Sequence, residues 1–262
     1  MSILITGGAG FIGSHLVEKL ILQNHSVIVI DNLSTGYLEN LNIVLEKITF
    51  INADLSEYDL FSIGGIESVI HLSAQTSVPL SIKDFKNSSH INLLSNLNVI
   101  DFCSKTNIPL VYASSSSIYG NNPLGDDALL SVDLMSPYAV DKYTMELYAQ
   151  MANKTYGLSS IGLRFFNIYG PRQDPSSQYS GVISIFIDRL LKGSKIRVNG
   201  GYQTRDFVFI SDVVNVIEKS MQLTSTQLVC EKVNVLTGVT YTINELLEIL
   251  SSILNKTPVI DQ

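Results

Sequence analysis

Apolar residues recur in two alternating rhythms over the first 166 positions. Short β-branched runs at 3–6, 27–31, 48–52, 68–72, 110–114 and 160–165 are nearly continuous in apolar character, as strands buried on both faces are. Between them, 11–23, 83–105 and 137–156 carry apolar residues at helical spacing. Alternation of this kind predicts an α/β fold, a parallel sheet wound doubly by right-handed crossovers. Beyond 166 the rhythm breaks. A Gly/Pro/Ser/Asp loop at 170–180 leads to a helix at 181–192, a short strand at 196–198 and the loop N-G-G-Y-Q-T-R. A helix at 211–223 and a strand at 233–236 follow, and Thr242-x-x-Glu245 marks a capping box ahead of an apolar helix at 243–254.

Composition narrows the class. The 262 residues are 45% hydrophobic and 16% charged, enough for one large core or a core and a half. A formal charge of −7 argues against nucleic acid as the main partner, since phosphate binding wants a basic face. Cys103 and Cys230 fit no metal or redox spacing, and two cysteines in such a length suit a reducing compartment. No uncharged apolar run reaches bilayer length, and no basic region precedes the short apolar start M-S-I-L-I-T-G-G. The expectation is a cytoplasmic protein that neither spans a membrane nor carries a secretory signal.

The turn T-G-G-A-G-F-I-G joins the first strand to the first helix, with Gly8, Gly10 and Gly13 in G-x-G-x-x-G spacing and Gly7, Gly10 and Gly13 in G-x-x-G-x-x-G spacing. Glycine lets a pyrophosphate approach the backbone, and a helix N-terminus offers it free N–H groups. Asp31 follows at the end of the second strand, where a carboxylate binds both ribose hydroxyls and repels a 2′-phosphate. With no arginine in D-N-L-S-T-G, the cofactor expected on this Rossmann-type frame is NAD rather than NADP. The bland alternative is a tight turn with no ligand.

S-P-Y-A-V-D-K places Tyr138 and Lys142 four apart just after the helix-start signal Ser136-Pro137. One helix face then carries both. A phenol titrates near 10, so acting as a base at cellular pH needs a nearby positive charge, from the ammonium and a nicotinamide ring. An amphipathic surface helix with a solvated lysine is the alternative. A-S-S-S-S-I-Y-G ends a predicted strand at the edge where open α/β sheets bind ligands, so one of Ser114–Ser117 is a candidate hydroxyl, and spacing does not say which. His71, closing an apolar strand, is expected to be a satisfied core histidine.

Together T-G-G-A-G-F-I-G, D-N-L-S-T-G, A-D-L, H-L-S-A-Q, S-S-S-S-I-Y-G, S-P-Y-A-V-D-K, L-R-F-F-N-I-Y-G-P-R and Q-T-R-D-F make the chain resemble the extended short-chain dehydrogenases/reductases. More narrowly, it is similar to the NAD-dependent sugar-nucleotide epimerases/dehydratases, nearest the UDP-glucose and UDP-N-acetylglucosamine 4-epimerases. The resemblance implies Ser115 as the catalytic hydroxyl, Tyr138 as the base and Lys142 as the residue on the nicotinamide ribose. It implies NAD contacts at Gly7, Gly10, Phe11, Ile12, Asp31, Asn32, Ser34, Thr35 and Gly36, and at Asp54 and Leu55 beside adenine. Leu72, Ser73, Ala74, Asn92 and Ser114 would line the cofactor channel, with Phe166 near the nicotinamide.

For the UDP-sugar, the resemblance implies Ser115, Tyr138, Asn167, Val182, Ile196, Val198 and Arg205, with Asn167 and Arg205 on the diphosphate. Taken singly, Asn167 also reads as a turn residue and Arg205 as a surface ion pair. The implied layout is an NAD-binding domain over 1–166, to which 207–238 return, and a substrate-binding region over 167–206 and 239–262. That region would be short at its C-terminal end, since the family's closing arginine and acid fall past Gln262. The resemblance further implies a homodimer through helices 83–105 and 137–156 and epimerisation at carbon 4 of a UDP-hexose. The alternatives are a 4,6-dehydratase or decarboxylase, for which Ser116 and Ser117 stand where an acid is needed, and a non-catalytic NAD-binding module.

Overall fold

The computed structural model describes residues 1–121, 132–175 and 181–261. They fall into two compact units, Met1–Phe165 with Ser211–Val235, and Phe166–Ile210 with Leu236–Gln262.

The first unit contains β1 (Ser2–Thr6), α1 (Phe11–Leu22), β2 (Ser26–Asp31), β3 (Thr49–Asn52), β4 (Ile66–His71), α2 (Val78–Lys83), α3 (Phe85–Thr106), β5 (Leu110–Ser115), α4 (Pro137–Tyr156) and β6 (Ser160–Phe165). From the second segment come β10 (Cys230–Val235) and α6 (Ile210–Thr226), the latter from Ser211 onward. Seven strands run parallel in the order β10-β6-β5-β4-β1-β2-β3. The order reverses between β1 and β4, the point where sheets of this kind leave a crevice at their carboxyl edge. This is the doubly wound parallel sheet that the alternating rhythms predict.

Strands and helices form where expected because the local signals are strong. Every residue of β6 is buried, so its mostly apolar run matches its environment. Ser136 caps α4 by accepting from Ala139 N, Pro137 occupies its first turn, and Gly157 ends it at φ 72°. The helix expected over 83–105 begins later, at Phe85. Asp84 takes φ −130°, closes α2 and caps α3 by accepting from Asn87 N. Leu4, Val69, Val99, Leu110, Met145 and Ala149 meet in a core where α3 and α4 lie against the sheet.

The second unit contains β7 (Asn167–Tyr169), α5 (Val182–Lys192), β8 (Lys195–Arg197), β9 (Thr204–Phe209), β11 (Thr240–Thr242), α7 (Ile243–Leu254) and β12 (Val259–Asp261). Strands β11-β9-β7 form one small sheet and β12-β8 another. Periodicity did not predict β7, β9, β11 or β12, three of which span three residues, too few to show a period. Ile183, Phe186, Leu190, Ile196, Ile243, Leu246, Leu247 and Leu250 make this unit's core. The capping box is complete: Thr242 N donates to Glu245 Oε2 at 2.8 Å and Glu245 N to Thr242 Oγ1 at 3.1 Å. The loop expected over 170–180 is described through Pro175, and 176–180 lie outside the described residues. No helix among the described residues is long and apolar enough to cross a membrane.

Candidate active site

The glycine turn sits at the carboxyl end of β1 and is shaped by contacts that exclude side chains. Gly7 has φ 72°, and a Cβ there would lie 2.7 Å from Ser73 N; one on Gly13 would lie 2.2 Å from the Gly7 carbonyl oxygen. Gly10 caps α1 with no side-chain hydrogen bond, and a Cβ on it would meet only Gly7 O, at 3.3 Å. The first-turn N–H groups around Phe11 and Ile12 therefore face no capping side chain.

The loop of Ser34, Thr35 and Gly36 packs on this turn, with Tyr37 N donating to Ala9 O at 3.1 Å. Asp31 is buried, its two oxygens each accepting at 2.9 Å, from Ala9 N and Leu33 N. A carboxylate offers about four acceptor positions, so two stay available for a diol. Asn32 donates to Asp54 at 3.1 Å, and the Ser56 hydroxyl, with this amide, holds Asp54 below its ordinary pKa. An uncapped glycine turn and an acid with acceptor capacity fit the diphosphate and ribose of NAD.

Thr6 ties the next loop to the same edge. Its hydroxyl accepts from Leu72 N, Ser73 N and the Ser73 hydroxyl at 3.2, 3.3 and 3.1 Å, and pairs with His71 Nδ1 at 2.7 Å. His71 is buried as expected, pairs with Asn96 through Nε2 at 2.9 Å, and is pushed down to about 4 by burial. Ala74 continues this loop at intermediate exposure. Asn92 is a strut rather than a wall. Its amide bonds the Gln75 backbone at 2.8 and 3.2 Å and Asp141 at 3.0 Å. Leu55 belongs to the core, which leaves only its backbone for a ligand.

Ser115, Tyr138 and Lys142 meet at the end of β5. The Ser115 hydroxyl accepts from Ser117 N at 3.1 Å and draws the Tyr138 phenol's pKa down. Lys142 Nζ lies 5.8 Å from the Tyr138 ring centroid and donates to Ala113 O at 2.9 Å. Among the protein's own groups, burial pushes Tyr138 up to about 12, against the pull of Ser115, and Asp141 adds to the rise, so the positive charge expected to bring the phenol down works against desolvation. Burial also lowers the lysine to about 8. Desolvation penalises the charged form of both groups.

The remaining residues lie in the second unit. Asn167 Nδ2 donates to Asp206 O at 3.0 Å, and Arg205 is exposed, its Nη1 on Thr204 O at 2.8 Å. Ile196 is fully buried in the unit's core and Val182 and Val198 pack against it, so Ile196 presents only backbone to a ligand. Phe166 is buried at the start of this unit. A cavity of about 740 Å³ along α5 and α7 is lined by apolar residues such as Ile187, Leu191 and Ile253, and by none of Asn167, Val182, Ile196, Val198 or Arg205.

Two acidic residues escaped the sequence reading. Asp206 is buried and accepts from Thr237 N, the Thr237 hydroxyl and Gly238 N, fixing the turn before β11. Glu146 is buried against Arg164. An arginine inside a mostly apolar strand was the available signal, since a buried guanidinium requires a carboxylate.

A family profile, NAD dependent epimerase/dehydratase family, matches residues 3–235. UDP-glucose 4-epimerase of Mycolicibacterium smegmatis is 36% identical over 226 residues, 82% of this chain and 71% of that one. The crystal structure of UDP-glucose 4-epimerase from Thermotoga maritima with UDP-glucose superposes with a TM-score of 0.91 at 35% identity, covering 100% of this chain and 85% of that one. UDP-glucose 4-epimerase of Thermus thermophilus in complex with NAD gives a TM-score of 0.88 at 34% identity, covering 100% and 86%. A match spanning the glycine turn, Asp31, and the Ser115–Tyr138–Lys142 cluster accounts for the geometry at this sheet edge: the chain belongs to the NAD dependent epimerase/dehydratase family.

Proposed function

We propose that this chain is a NAD-dependent isomerase that interconverts UDP-hexoses at carbon 4, UDP-glucose with UDP-galactose or their N-acetyl forms, by transient oxidation at that carbon. The observation that carries the reading is the buried Tyr138 hydroxyl held by Ser115 beside Lys142, on the sheet edge that also bears the glycine turn and Asp31. NAD, when bound, supplies a hydride acceptor and a positively charged ring, and is regenerated in each cycle.

Tyr138 takes the proton of the 4-hydroxyl as the carbon is oxidised and returns one when the keto sugar, turned over, is reduced from its opposite face. Ser115 stands at the phenol oxygen and shares that proton. Asp31 and the first turn of α1 hold the cofactor. Asn167 and Arg205 hold the sugar nucleotide's diphosphate, with Val182 and the backbone of Ile196 and Val198 at the uridine. A firmly held diphosphate lets the keto sugar rotate without leaving, so binding energy serves commitment.

Elimination of water would need an acid–base pair directly after Ser115. Ser116 and Ser117 stand there, and a hydroxyl does not hold that proton at neutral pH. The chain acts as a homodimer through helices α3 and α4, a reading supported by exposed apolar residues on both, and works in the cytoplasm, where Cys103 and Cys230 stay reduced.

Incubation of the purified chain with NAD and UDP-galactose, resolved by anion-exchange chromatography, tests the assignment. UDP-glucose is the expected product. A 4-keto-6-deoxy product would replace epimerisation with dehydration, and NAD binding without turnover of any UDP-hexose would leave a binding module.

A further inference from the structure

Three consecutive residues at the end of β5 are each tied to α4. The Ala113 carbonyl accepts from Lys142 at 2.9 Å, Ser114 donates to the Glu146 carboxylate at 2.6 Å, and Ser115 acts on the Tyr138 phenol. The first and third of these ties involve catalytic residues. The middle one opens into a network that the chemistry above does not use. Arg164 grips Glu146 through Nε at 2.9 Å and Nη2 at 2.7 Å, and its Nη1 reaches the Tyr119 hydroxyl at 2.8 Å. Tyr119 donates in turn to Asn234 Oδ1 at 2.7 Å. Ser114, Arg164 and Asn234 lie directly opposite one another across β5, β6 and β10. Ser114, Glu146 and Arg164 are all buried.

A buried ion pair contributes little stability over apolar side chains of the same size, so stability alone gives no reason to place one here. What a two-pronged guanidinium–carboxylate contact does provide is fixed geometry. Glu146 lies one helical turn beyond Lys142 and two beyond Tyr138, on the same face of α4. We propose that Glu146, held by Arg164 and Ser114, is a positioning residue for the reaction. It sets α4 against the end of β5 so that the Tyr138 hydroxyl stands in register with Ser115. Without it the helix can slide or roll by a fraction of an ångström and move the Tyr138 hydroxyl out of register with Ser115. The inference rests on the catalytic assignment of Ser115, Tyr138 and Lys142 made above.

The test compares wild type with Glu146→Gln and with the double variant Glu146→Gln, Arg164→Met, which leaves no uncompensated buried charge. Wild-type epimerisation is the first control, and its absence would defeat the function reading rather than this one. In variants that melt cooperatively and bind NAD, kcat is expected to fall about 10- to 100-fold with KM within about twofold, the effect of a misplaced reacting group. The ascending limb of kcat against pH should also move upward, because the influence of Ser115 that lowers the phenol's pKa is weakened while Asp141 and Lys142 are untouched. A purely structural pair would reduce the active fraction without moving that limb. Ser114→Ala keeps the ion pair and decides the matter if the pair variants do not fold: kcat should fall about fivefold, the weight of one hydrogen bond, with the same direction of limb shift. Wild-type kcat and limb in Ser114→Ala, or in a folded double variant, overturn the proposal.

Discussion

Tyr138 shows how strongly surroundings govern a single side chain. Burial pushes its phenol up to about 12, so the protein's own groups keep the proton on, while Ser115 pulls the other way. Tyr138→Phe keeps the ring and removes the proton carrier. Steady-state assays should show kcat lowered about 10²- to 10⁴-fold, the usual weight of general acid–base catalysis, with NAD still bound. Unchanged turnover would take Tyr138 out of the mechanism.

His71 gives a prediction of a different kind. Its folded pKa is about 4 against 6.5 for an ordinary histidine, so between those values the unfolded chain binds more protons. Stability therefore rises with pH through that window; it is fully present above about 6.5 and is lost as pH falls toward 4. The loss amounts to roughly 3 kcal/mol. Urea midpoints at pH 7 and pH 5 should differ in wild type and converge in His71→Asn. Identical wild-type midpoints would show that His71 titrates normally.

The β1–α1 turn and the helix caps were legible in the sequence because their signals are local. A glycine spacing, a Ser-Pro pair and a Thr-x-x-Glu box each act within a few residues, and the structure places each at the helix start it marks. The turn also makes a demand that spacing only hints at. A Cβ on Gly13 would lie 2.2 Å from Gly7 O and 2.7 Å from Gly8 Cα, both backbone, so α1 must move if one is added. Gly13→Ala should cost about 1–3 kcal/mol by thermal denaturation and abolish NAD binding in a fluorescence titration. Retained affinity would separate the turn from the cofactor site.

The short elements were illegible for the opposite reason. Strand β7 is three residues long and owes its existence to β9, thirty-seven residues later in the chain, through pairs such as Asn167 with Phe207. The break before α3 was missed because Asp84 interrupts an otherwise continuous helical pattern by capping the next helix.

For the assembled protein, the helices of the first unit leave apolar side chains in solvent. On α4, Val140, Leu147, Tyr148 and Met151 fall on one stripe and are 38–47% exposed, and Leu94 of α3 is 38% exposed. A stripe of this kind supports pairing of two copies. Leu147→Asp would place a charge there, and sedimentation velocity should show a dimer for wild type and a monomer for the variant. A wild-type monomer at working concentration would refute the pairing.

Sequence alone was enough for the doubly wound sheet, the NAD turn with its acid and the shared helix face of Tyr138 and Lys142, since each follows from periodicity or spacing within a short segment. It was not enough for the electrostatics of that face. Whether an ammonium acidifies a phenol depends on how much water both have lost, and that is set by residues brought in from distant segments. The same holds for the Ser114–Glu146–Arg164–Asn234 network, whose members come from three strands and a helix and become neighbours only when the sheet closes against α4.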